Sequence, residues 1–458
     1  MNLEDASTPQ ATAQAGRALE PRDKTPPGPA REEASSVARG NARSGRSDLM
    51  EQVTQVTNLQ VALKRVEKNA GSPGIDGMRT DELRGWLRDN WKDLVRALLD
   101  ETYRPQAIRR HEIPKDNGGV RVLGIPTVLD RLIQQALLQV LQPIFDPGFS
   151  DHSYGFRPGR SAHDAVERAR GYIEAGRRVV VDVDLEKFFD RVNHDVLMSR
   201  VAKKIDDKRV LRLIRRYLTA GMMADGVVTA REEGTPQGGP LSPLLANVLL
   251  DEVDKELERT GHAFVRYADD CNVYVQSKRA GERVMERLTK LYGRLRLRIN
   301  ADKSAVAAAT KRDFLGFGFW DGPDGRTQIR AAKKAIDKLK TRVRKLTRRN
   351  GGQSMKQVGA VLSQYLYGWR AYFRLAETHT AFARLDMWIR RRLRAIQLKQ
   401  WKRGPTAYKR LRALGATHET AANVAAHVRK WWHASKGPLH AVFTNSYFDK
   451  LGIPRLTD

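Results

Sequence analysis

The adjacent acidic residues Asp269 and Asp270 are the first feature of this sequence that could carry chemistry. They lie in FVRYADDCNVYV (264–275), where two runs of β-branched and aromatic residues flank the acids and predict two strands joined by a tight turn. Adjacent carboxylates repel each other, and a divalent cation such as Mg²⁺, which prefers carboxylate oxygens, would relieve that repulsion. A plain polar turn is the alternative, so the pair by itself is weak evidence for a metal site.

A second source of carboxylates lies upstream, in VVVDVDLEKFFDRVNHD (179–195). Residues 179–183 predict a strand, and the alternation of a strand puts Asp182 and Asp184 on one face. A strand that ends in acids beside a two-acid hairpin can build a site for two metal ions roughly 3.5–4 Å apart. Such a site activates an attacking 3′-hydroxyl and stabilises a leaving pyrophosphate, so the two segments together predict phosphoryl transfer.

The surrounding sequence predicts the elements that position these acids. Leu83–Leu99 and Thr127–Leu141 have the periodicity of helices, whereas AIRRHEIPK and GGVRVLGIP, on either side of 116–119, predict a hairpin. The sequence after about residue 330 predicts helices, so the fold class is α+β with a sheet. Residues 1–47 are poor in large apolar side chains and predict a disordered extension, with a basic RNA-binding arm as the alternative.

The charge of the chain indicates a polyanionic partner. Lys and Arg number 82 against 53 Asp and Glu, giving a net charge of +29, which fits nucleic acid or an anionic membrane surface. Residues 331–412 alone hold 23 basic and three acidic residues, which favours nucleic acid. A single cysteine excludes an internal disulfide framework, and no run of 18 apolar residues predicts a membrane span. We therefore expect a cytoplasmic protein that works on nucleic acid and not on a membrane.

Three arginines in the basic region are candidates for phosphate contacts. On a helical wheel that starts at Leu385, Arg390, Arg391 and Arg394 fall opposite the apolar face, whereas Arg392 falls inside it. The first three are predicted to contact the phosphate backbone of nucleic acid, and Arg392 is predicted to snorkel or to support the fold.

Several sequence blocks resemble those of a reverse transcriptase. TPQGGPLSPLLAN (235–247), together with YADD, resembles the reverse transcriptases encoded by group II introns, and LSQYLYGWRAYF (362–373) resembles their maturase motif. The resemblance runs from about Asp48 to the C-terminus. With one cysteine, the chain lacks the Cys pairs of the family's HNH endonuclease and resembles the endonuclease-less class C branch. The reverse transcriptase blocks are, in order, DLEKFF (184–189), EGTPQGGPLSPLLANVLLDEVD (233–254), YADD (267–270) and LRINADKS (297–304) followed by FLGFGF (314–319).

The resemblance implies a right-hand polymerase whose fingers and palm contain an antiparallel sheet. An α-helical thumb and maturase domain would follow, and then a small DNA-binding-like module. The implied boundaries are 1–47 for the extension, 48–178 for the fingers, 179–328 for the palm, 329–404 for the thumb and 405–458 for the C-terminal module.

The resemblance also assigns roles in the metal site. Asp184 matches the aspartate of motif A, five positions before the motif's aromatic residue, and Asp269 matches the metal ligand of motif C with Asp270 as its partner acid. These three acids would hold two Mg²⁺ ions. Lys303 matches the lysine of motif D, a general acid toward pyrophosphate, and Asp182 is expected to be structural.

Four further residues are implied to bind the incoming dNTP. Phe189 matches the residue under the sugar, where a planar ring would clash with a 2′-hydroxyl; a core phenylalanine is the alternative. Lys115 and Arg121 bracket the predicted hairpin and match the family's triphosphate clamps, with Arg109 as a weaker third candidate. Gln237, in a glycine-rich segment, can hydrogen-bond to nucleotide or template.

The resulting hypothesis is an RNA-directed DNA polymerase that also assists splicing and retrohoming of its intron. Its partners would be intron RNA as template, a DNA primer or target, and dNTPs. A maturase that binds RNA without polymerase activity is one alternative. A domesticated reverse transcriptase with a host role such as phage defence is the other.

Overall fold

The structure, a computed structural model, describes residues 48–114, 118–224, 227–229, 233–235, 238–349, 351–437 and 439–457. The predicted extension, 1–47, lies outside these residues, and its disorder stays a prediction. Among the helices of the described ranges, none is both long and apolar enough to span a membrane.

Helices and strands alternate over the first two thirds of the described chain, and helices alone follow. The elements up to the third sheet are α1 (Leu49–Thr54), α2 (Val56–Asn69), α3 (Leu83–Leu99), β1 (Ile108–Pro114), β2 (Val120–Ile125), α4 (Val128–Phe145), α5 (Ala162–Glu174), β3 (Val179–Val183), α6 (His194–Val201), α7 (Lys208–Thr219), β4 (Met222–Ala224), β5 (Val227–Thr229), α8 (Ser242–Arg259), β6 (Ala263–Tyr267), β7 (Asp270–Val275), α9 (Lys278–Arg294), β8 (Ala305–Ala308), β9 (Asp313–Phe314), β10 (Phe317–Asp321) and β11 (Thr327–Ala331). The helices that follow are α10 (Lys333–Leu346), α11 (Met355–Tyr372), α12 (His379–Trp401), α13 (Gly404–Ala413), α14 (His418–Ala426), α15 (Trp431–Ala434), α16 (Leu439–Val442) and α17 (Asn445–Lys450).

The N-terminal helices form because their apolar residues recur on one face. Leu59, Leu63 and Val66 are spaced four and three residues apart on α2 and are buried. Helix α4 begins where the Thr127 side chain accepts a hydrogen bond from the backbone N–H of Asp130. The predicted hairpin is confirmed as β1 and β2, whose antiparallel register pairs Ile113 with Arg121. Strand β1 also pairs in parallel with β4.

The central sheet has the strand order β6-β7-β3-β8, and every neighbouring pair is antiparallel. Strand alternation sends Val181 and Val183 into one core and Val180 into the other. The first core also contains α1 to α4 and α6 to α9, whereas the second contains α5, the β9–β11 sheet and α10 to α17. The two cores therefore cover both faces of the central sheet. The acids lie at one end of its strands.

The second core continues without a break from the sheets into the C-terminal helices. Phe317 on β10 lies in this core with Trp369 and Phe373 on α11, and Phe448 on α17 lies in it too. The predicted α+β class with antiparallel sheets is confirmed. The predicted domain boundaries stay predictions, although β11 extends past the predicted end of the palm at residue 328.

Candidate catalytic site

The predicted carboxylates come together at one end of the central sheet. The register of β3 and β7 pairs Asp182 with Asn272 and Val183 with Cys271, so the next position brings Asp184 beside Asp270. The backbone around Asp184 is fixed, since its carbonyl accepts a 2.9 Å hydrogen bond from the N–H of Asn300. Two strands therefore deliver acids to one place, as the alternation in the sequence predicts.

Burial and mutual repulsion raise the pKa of two carboxyl groups in this cluster. Burial, followed by repulsion from Asp269, Asp184 and Asp182, raises the pKa of Asp270 to about 7. Burial also raises the pKa of Asp269, with Asp184 adding to the rise, and Arg121 on β2 lies close enough for its charge to oppose it. The cluster thus holds more negative charge than its surroundings compensate.

The donor set fits a divalent cation. Three carboxylates at the ends of neighbouring strands supply hard oxygen ligands, and their mutual repulsion is what a cation would relieve. Within the part of the chain that the structure describes, no three Asp, Glu, His or Cys side chains are already gathered around one point that could hold an ion.

Lys303 lies beside the cluster. Its Nζ is 3.6 Å from Oδ1 of Asp184, and its side chain is 60% exposed. The loop that carries it is anchored by Arg312, whose guanidinium donates to Oδ2 of Asp182 at 2.7 Å and to the carbonyl of Lys303 at 2.6 Å. Ser304 adds a second anchor, because its hydroxyl accepts a 3.0 Å hydrogen bond from the N–H of Asp184. Asp182 thus has the structural role that the sequence favours.

Arg266, which the sequence analysis did not single out, supports the turn between β6 and β7. Its side chain is fully buried on β6 and donates to both carboxylate oxygens of Asp254 at 2.8 and 2.9 Å. It also donates to the carbonyl of Ala268 at 2.8 Å and to Oδ1 of Asn247 at 2.9 Å. Ala268 sits in the left-handed region, with φ 58°, which an alanine adopts only under constraint. The sequence did contain a signal for this role, because Arg266 is a single basic residue inside the apolar strand FVRY (264–267).

Of the four residues predicted to bind the incoming dNTP, two lie within the described residues. Phe189 is half-buried, its ring lies edge-on to Phe188 with centroids 5.0 Å apart, and its carbonyl accepts a 2.6 Å hydrogen bond from the N–H of Thr235. Arg121 is exposed on β2. Lys115 and Gln237 lie outside the described residues, and their roles stay predictions.

The glycines after Gln237 face the protein itself. A Cβ on Gly238, whose φ is 133°, would lie 2.5 Å from the carbonyl oxygen of Gly124. A Cβ on Gly239 would lie 2.4 Å from Oε1 of Gln134. The two glycines therefore let this segment pack against β2 and α4, next to the site.

The predicted outward orientation of Arg390 and Arg394 is wrong, because both side chains are buried. Arg390 pairs with Oδ1 of Asp386 at 3.1 Å. Arg394 donates to the carbonyl of Phe443 at 3.2 Å, and burial, together with neighbouring arginines, lowers the pKa of Arg394 to about 10. The wheel assumed that the face opposite the apolar stripe meets solvent, whereas on α12 that face packs against the C-terminal helices.

The two remaining arginines also contact protein. Arg391 is half-buried, and its guanidinium lies 4.0 Å from the ring centroid of Trp432 and donates to the carbonyl of that residue. The phosphate contact predicted for it is untested. Arg392 donates to Oγ1 of Thr347 at 2.7 Å and to its carbonyl at 3.2 Å, so its predicted support of the fold is confirmed. Exposed cations remain on α10, at Lys333, Lys334, Lys338, Arg342, Arg344 and Lys345.

The segment that resembles the maturase motif, 362–373, contributes aromatic side chains to the protein core. Trp369 and Phe373 are buried and their ring centroids are 4.5 Å apart, whereas Tyr365 is half-buried. Tyr372 is 37% exposed, stacks on Phe317 and donates its hydroxyl proton to the carbonyl of Leu315 at 2.8 Å. Trp369 and Phe373 therefore serve as core packing in this segment.

Two family models match the chain over adjacent segments. Residues 113–319 match the family described as reverse transcriptase (RNA-dependent DNA polymerase), and residues 336–415 match the group II intron maturase-specific domain. The first segment contains the carboxylate cluster, Lys303 and the hairpin cation Arg121; the second contains α12.

Two curated relatives are similar to about half of this chain. The chain is 34% identical over 278 residues to Protein YkfC of Escherichia coli (strain K12), with 52% of this chain and 73% of that protein covered. It is 36% identical over 236 residues to the group II intron-encoded protein LtrA of Lactococcus lactis subsp. cremoris, with 51% of this chain covered but only 39% of LtrA. Among solved structures, a partial Cas6-RT-Cas1–Cas2 complex is similar at a TM-score of 0.35 and 24% identity, covering 54% of this chain and 42% of that one.

Proposed function

We propose that this chain, which belongs to the reverse transcriptases encoded by group II introns, copies RNA into DNA at the Asp184, Asp269 and Asp270 cluster. The observation that carries the proposal is the meeting of these acids at the end of the β3–β7 pair, inside the segment that matches the reverse transcriptase family. A cluster with uncompensated negative charge beside a lysine suits nucleotidyl transfer, in which the protein mainly positions groups and neutralises charge.

In this proposal the three carboxylates would hold two Mg²⁺ ions, and the chemistry that bound Mg²⁺ would supply is a lower pKa of the primer 3′-hydroxyl and neutralisation of the charge on the leaving pyrophosphate. Lys303, 3.6 Å from Asp184, protonates the pyrophosphate as it leaves. Lys115 and Arg121 bind the triphosphate, and Phe189 lies under the sugar and favours dNTPs.

The nucleic-acid partners follow from the same assignment. The template is RNA, the primer is DNA, and the chain also binds its intron RNA and assists splicing and retrohoming, as the maturase match suggests. With Arg390 and Arg394 buried, we assign the phosphate contacts instead to the exposed cations on α10. Helix α10 carries seven lysines and arginines in 14 residues, against the single acid Asp337.

The deciding experiment compares Asp184→Asn with Asp190→Asn in Mg²⁺-dependent primer extension on an RNA template. Asp190 is an exposed acid six residues away and makes a matched control. We expect Asp184→Asn to abolish synthesis while intron-RNA affinity stays near wild type, and Asp190→Asn to retain synthesis. Full activity of Asp184→Asn contradicts the site assignment. A wild-type chain that assists splicing but never extends a primer supports the maturase without polymerase activity.

A further inference from the structure

Phe156 is exposed in a chain that otherwise shields its phenylalanines. All 13 phenylalanines lie within the described residues, and Phe156 alone is exposed, at 50%. Phe189 is half-buried and the others are buried. A single exposed apolar side chain is common on protein surfaces, so what distinguishes Phe156 is its place and its backbone conformation.

The segment before Phe156 runs alongside β6 toward the catalytic turn. The N–H of Tyr154 donates to the carbonyl of Arg266 at 2.9 Å. Gly155 lies so close to the turn that a Cβ on it would be 2.3 Å from the backbone nitrogen of Ala268. Phe156 is the next residue, so its ring is presented at the edge of the turn that carries the catalytic acids.

Backbone strain at Phe156 is maintained by buried contacts. Its φ is 58°, in the left-handed region that bulky residues rarely adopt. The next residue, Arg157, is buried and donates to Oδ1 of Asp146 at 2.9 Å and to the carbonyl of Ser153 at 3.0 Å. The fold thus fixes an exposed ring in an unfavourable conformation, and such strain concentrates at functional positions.

A second aromatic ring lies beside it. The ring centroids of Phe156 and Tyr267 are 6.4 Å apart and the ring planes are tilted by 41°. Tyr267 ends β6 immediately before Ala268, Asp269 and Asp270. The two rings form a small apolar surface next to the acids, which we name the Phe156 platform.

We propose that the Phe156 platform stacks the nucleotide at the 3′ end of the primer and so holds that end against the catalytic acids. This inference rests on the proposed function, because only a primer whose 3′-hydroxyl reaches Asp184, Asp269 and Asp270 must pass beside Tyr267. Aromatic rings bind bases without reading their sequence, since every base has a flat face. The platform therefore positions the primer and does not select the base.

The test uses Phe156→Gly, which separates stacking from stability. Glycine relieves the left-handed backbone, so the melting temperature should stay equal or rise. The ring is lost, so the affinity for a primer–template should fall by about 5- to 150-fold, the range typical of one base–aromatic contact. Phe156→Tyr should restore the affinity, and Phe156→Asn, which also tolerates the left-handed region, should behave like the glycine variant.

Binding is measured in EDTA without dNTPs, so that no chemistry contributes. The primer carries 2-aminopurine at its 3′ end, and stacking on the wild-type platform should quench its fluorescence; Phe156→Gly should abolish that quenching. The platform is overturned if the glycine variant binds and quenches like the wild type. It is also overturned if quenching requires 2-aminopurine in the template strand, or if the glycine variant changes only self-association or only the melting temperature.

The same assay separates this inference from the proposed function. Asp184→Asn should keep the quenching while losing synthesis. If the wild type extends primers but Phe156→Gly binds normally, the polymerase assignment stands and the platform is wrong. If the wild type never extends a primer, the proposed function fails whatever the fluorescence shows.

Discussion

Replacing Gly155 by alanine should disable the catalytic turn without unfolding the protein. Gly155 is buried and its φ is not positive, so alanine can adopt its backbone conformation. The side chain of alanine, however, has no room there. The new Cβ would lie 2.3 Å from the nitrogen of Ala268 and 3.0 Å from the carbonyl carbon of Tyr267. Both neighbours are backbone atoms, which cannot rotate away as the end of a flexible side chain can.

The size of the effect follows from that distance. Ordinary contact begins at 3.4 Å, so the loop and the turn must separate by about 1 Å, and a misplacement of about 1 Å in reacting groups can cost about 100-fold in rate. Asp269 follows Ala268 directly and moves with it. We expect kcat for primer extension to fall about 100-fold, with intron-RNA affinity within about threefold of wild type because the exposed cations of α10 are untouched.

Gly171→Ala is the matched control. Gly171 lies in α5, is exposed and has no atom within 4 Å of the position of a Cβ. Alanine there should stabilise the helix by roughly 0.5–1 kcal/mol and leave the rate unchanged. The assay is single-turnover extension with saturating primer–template, beside thermal melts of both variants. A folded Gly155→Ala protein with wild-type kcat would refute the argument that this contact positions the acids.

Three further perturbations test other parts of the structure. Phe189→Ala should raise rNTP incorporation relative to dNTP in single-nucleotide extension, and unchanged selectivity would make Phe189 a core residue only. Burial, with repulsion from Asp254, raises the pKa of Asp251 to about 6, so the folded chain holds this proton more tightly than the unfolded chain does and stability should fall as pH rises from about 4 to about 6. Asp251→Asn should flatten that fall and raise the melting temperature at pH 8, and an unchanged pH profile would show that other groups dominate. Asp386→Ala removes the nearer acid of the buried Arg390, which is then left with Asp449 at 4.0 Å, so denaturant unfolding should show a loss of about 3–5 kcal/mol. The salt dependence of RNA binding should stay the same in that variant, and a flatter salt dependence would mean that this region touches RNA after all.

Local patterns predicted the strands, the hairpin and the meeting of the acids. The alternation of β-branched residues before Asp184 requires only that neighbouring residues point to opposite faces, which is a property of any strand. Apolar runs flank the turn at Asp269 and Asp270 on both sides. The short turn and the apolar pattern together set the register in which β6 and β7 pair. These features depend on residues that are close together in the sequence, so they could be predicted from the sequence alone.

Contacts between distant segments could not be predicted in the same way. A helical wheel describes one helix alone, so it cannot show that Arg390 and Arg394 face residues about 50 to 60 positions later in the chain. The same limit hid Gly155, whose importance comes from Ala268, and Arg266, whose partner Asp254 lies on another element. The missing information is which surfaces meet.

The continuous second core constrains how the gene can recombine. Phe317, on the last sheet of the reverse transcriptase match, is packed against Phe373 in the maturase match, and the N–H of Glu377 donates to the carbonyl of Ile329 at 2.8 Å. A crossover between residues 319 and 336 would place aromatic surfaces against partners with which they had not coevolved. The two segments are therefore expected to be inherited as a pair, and chimaeras should fold only when both sides of this seam come from one parent.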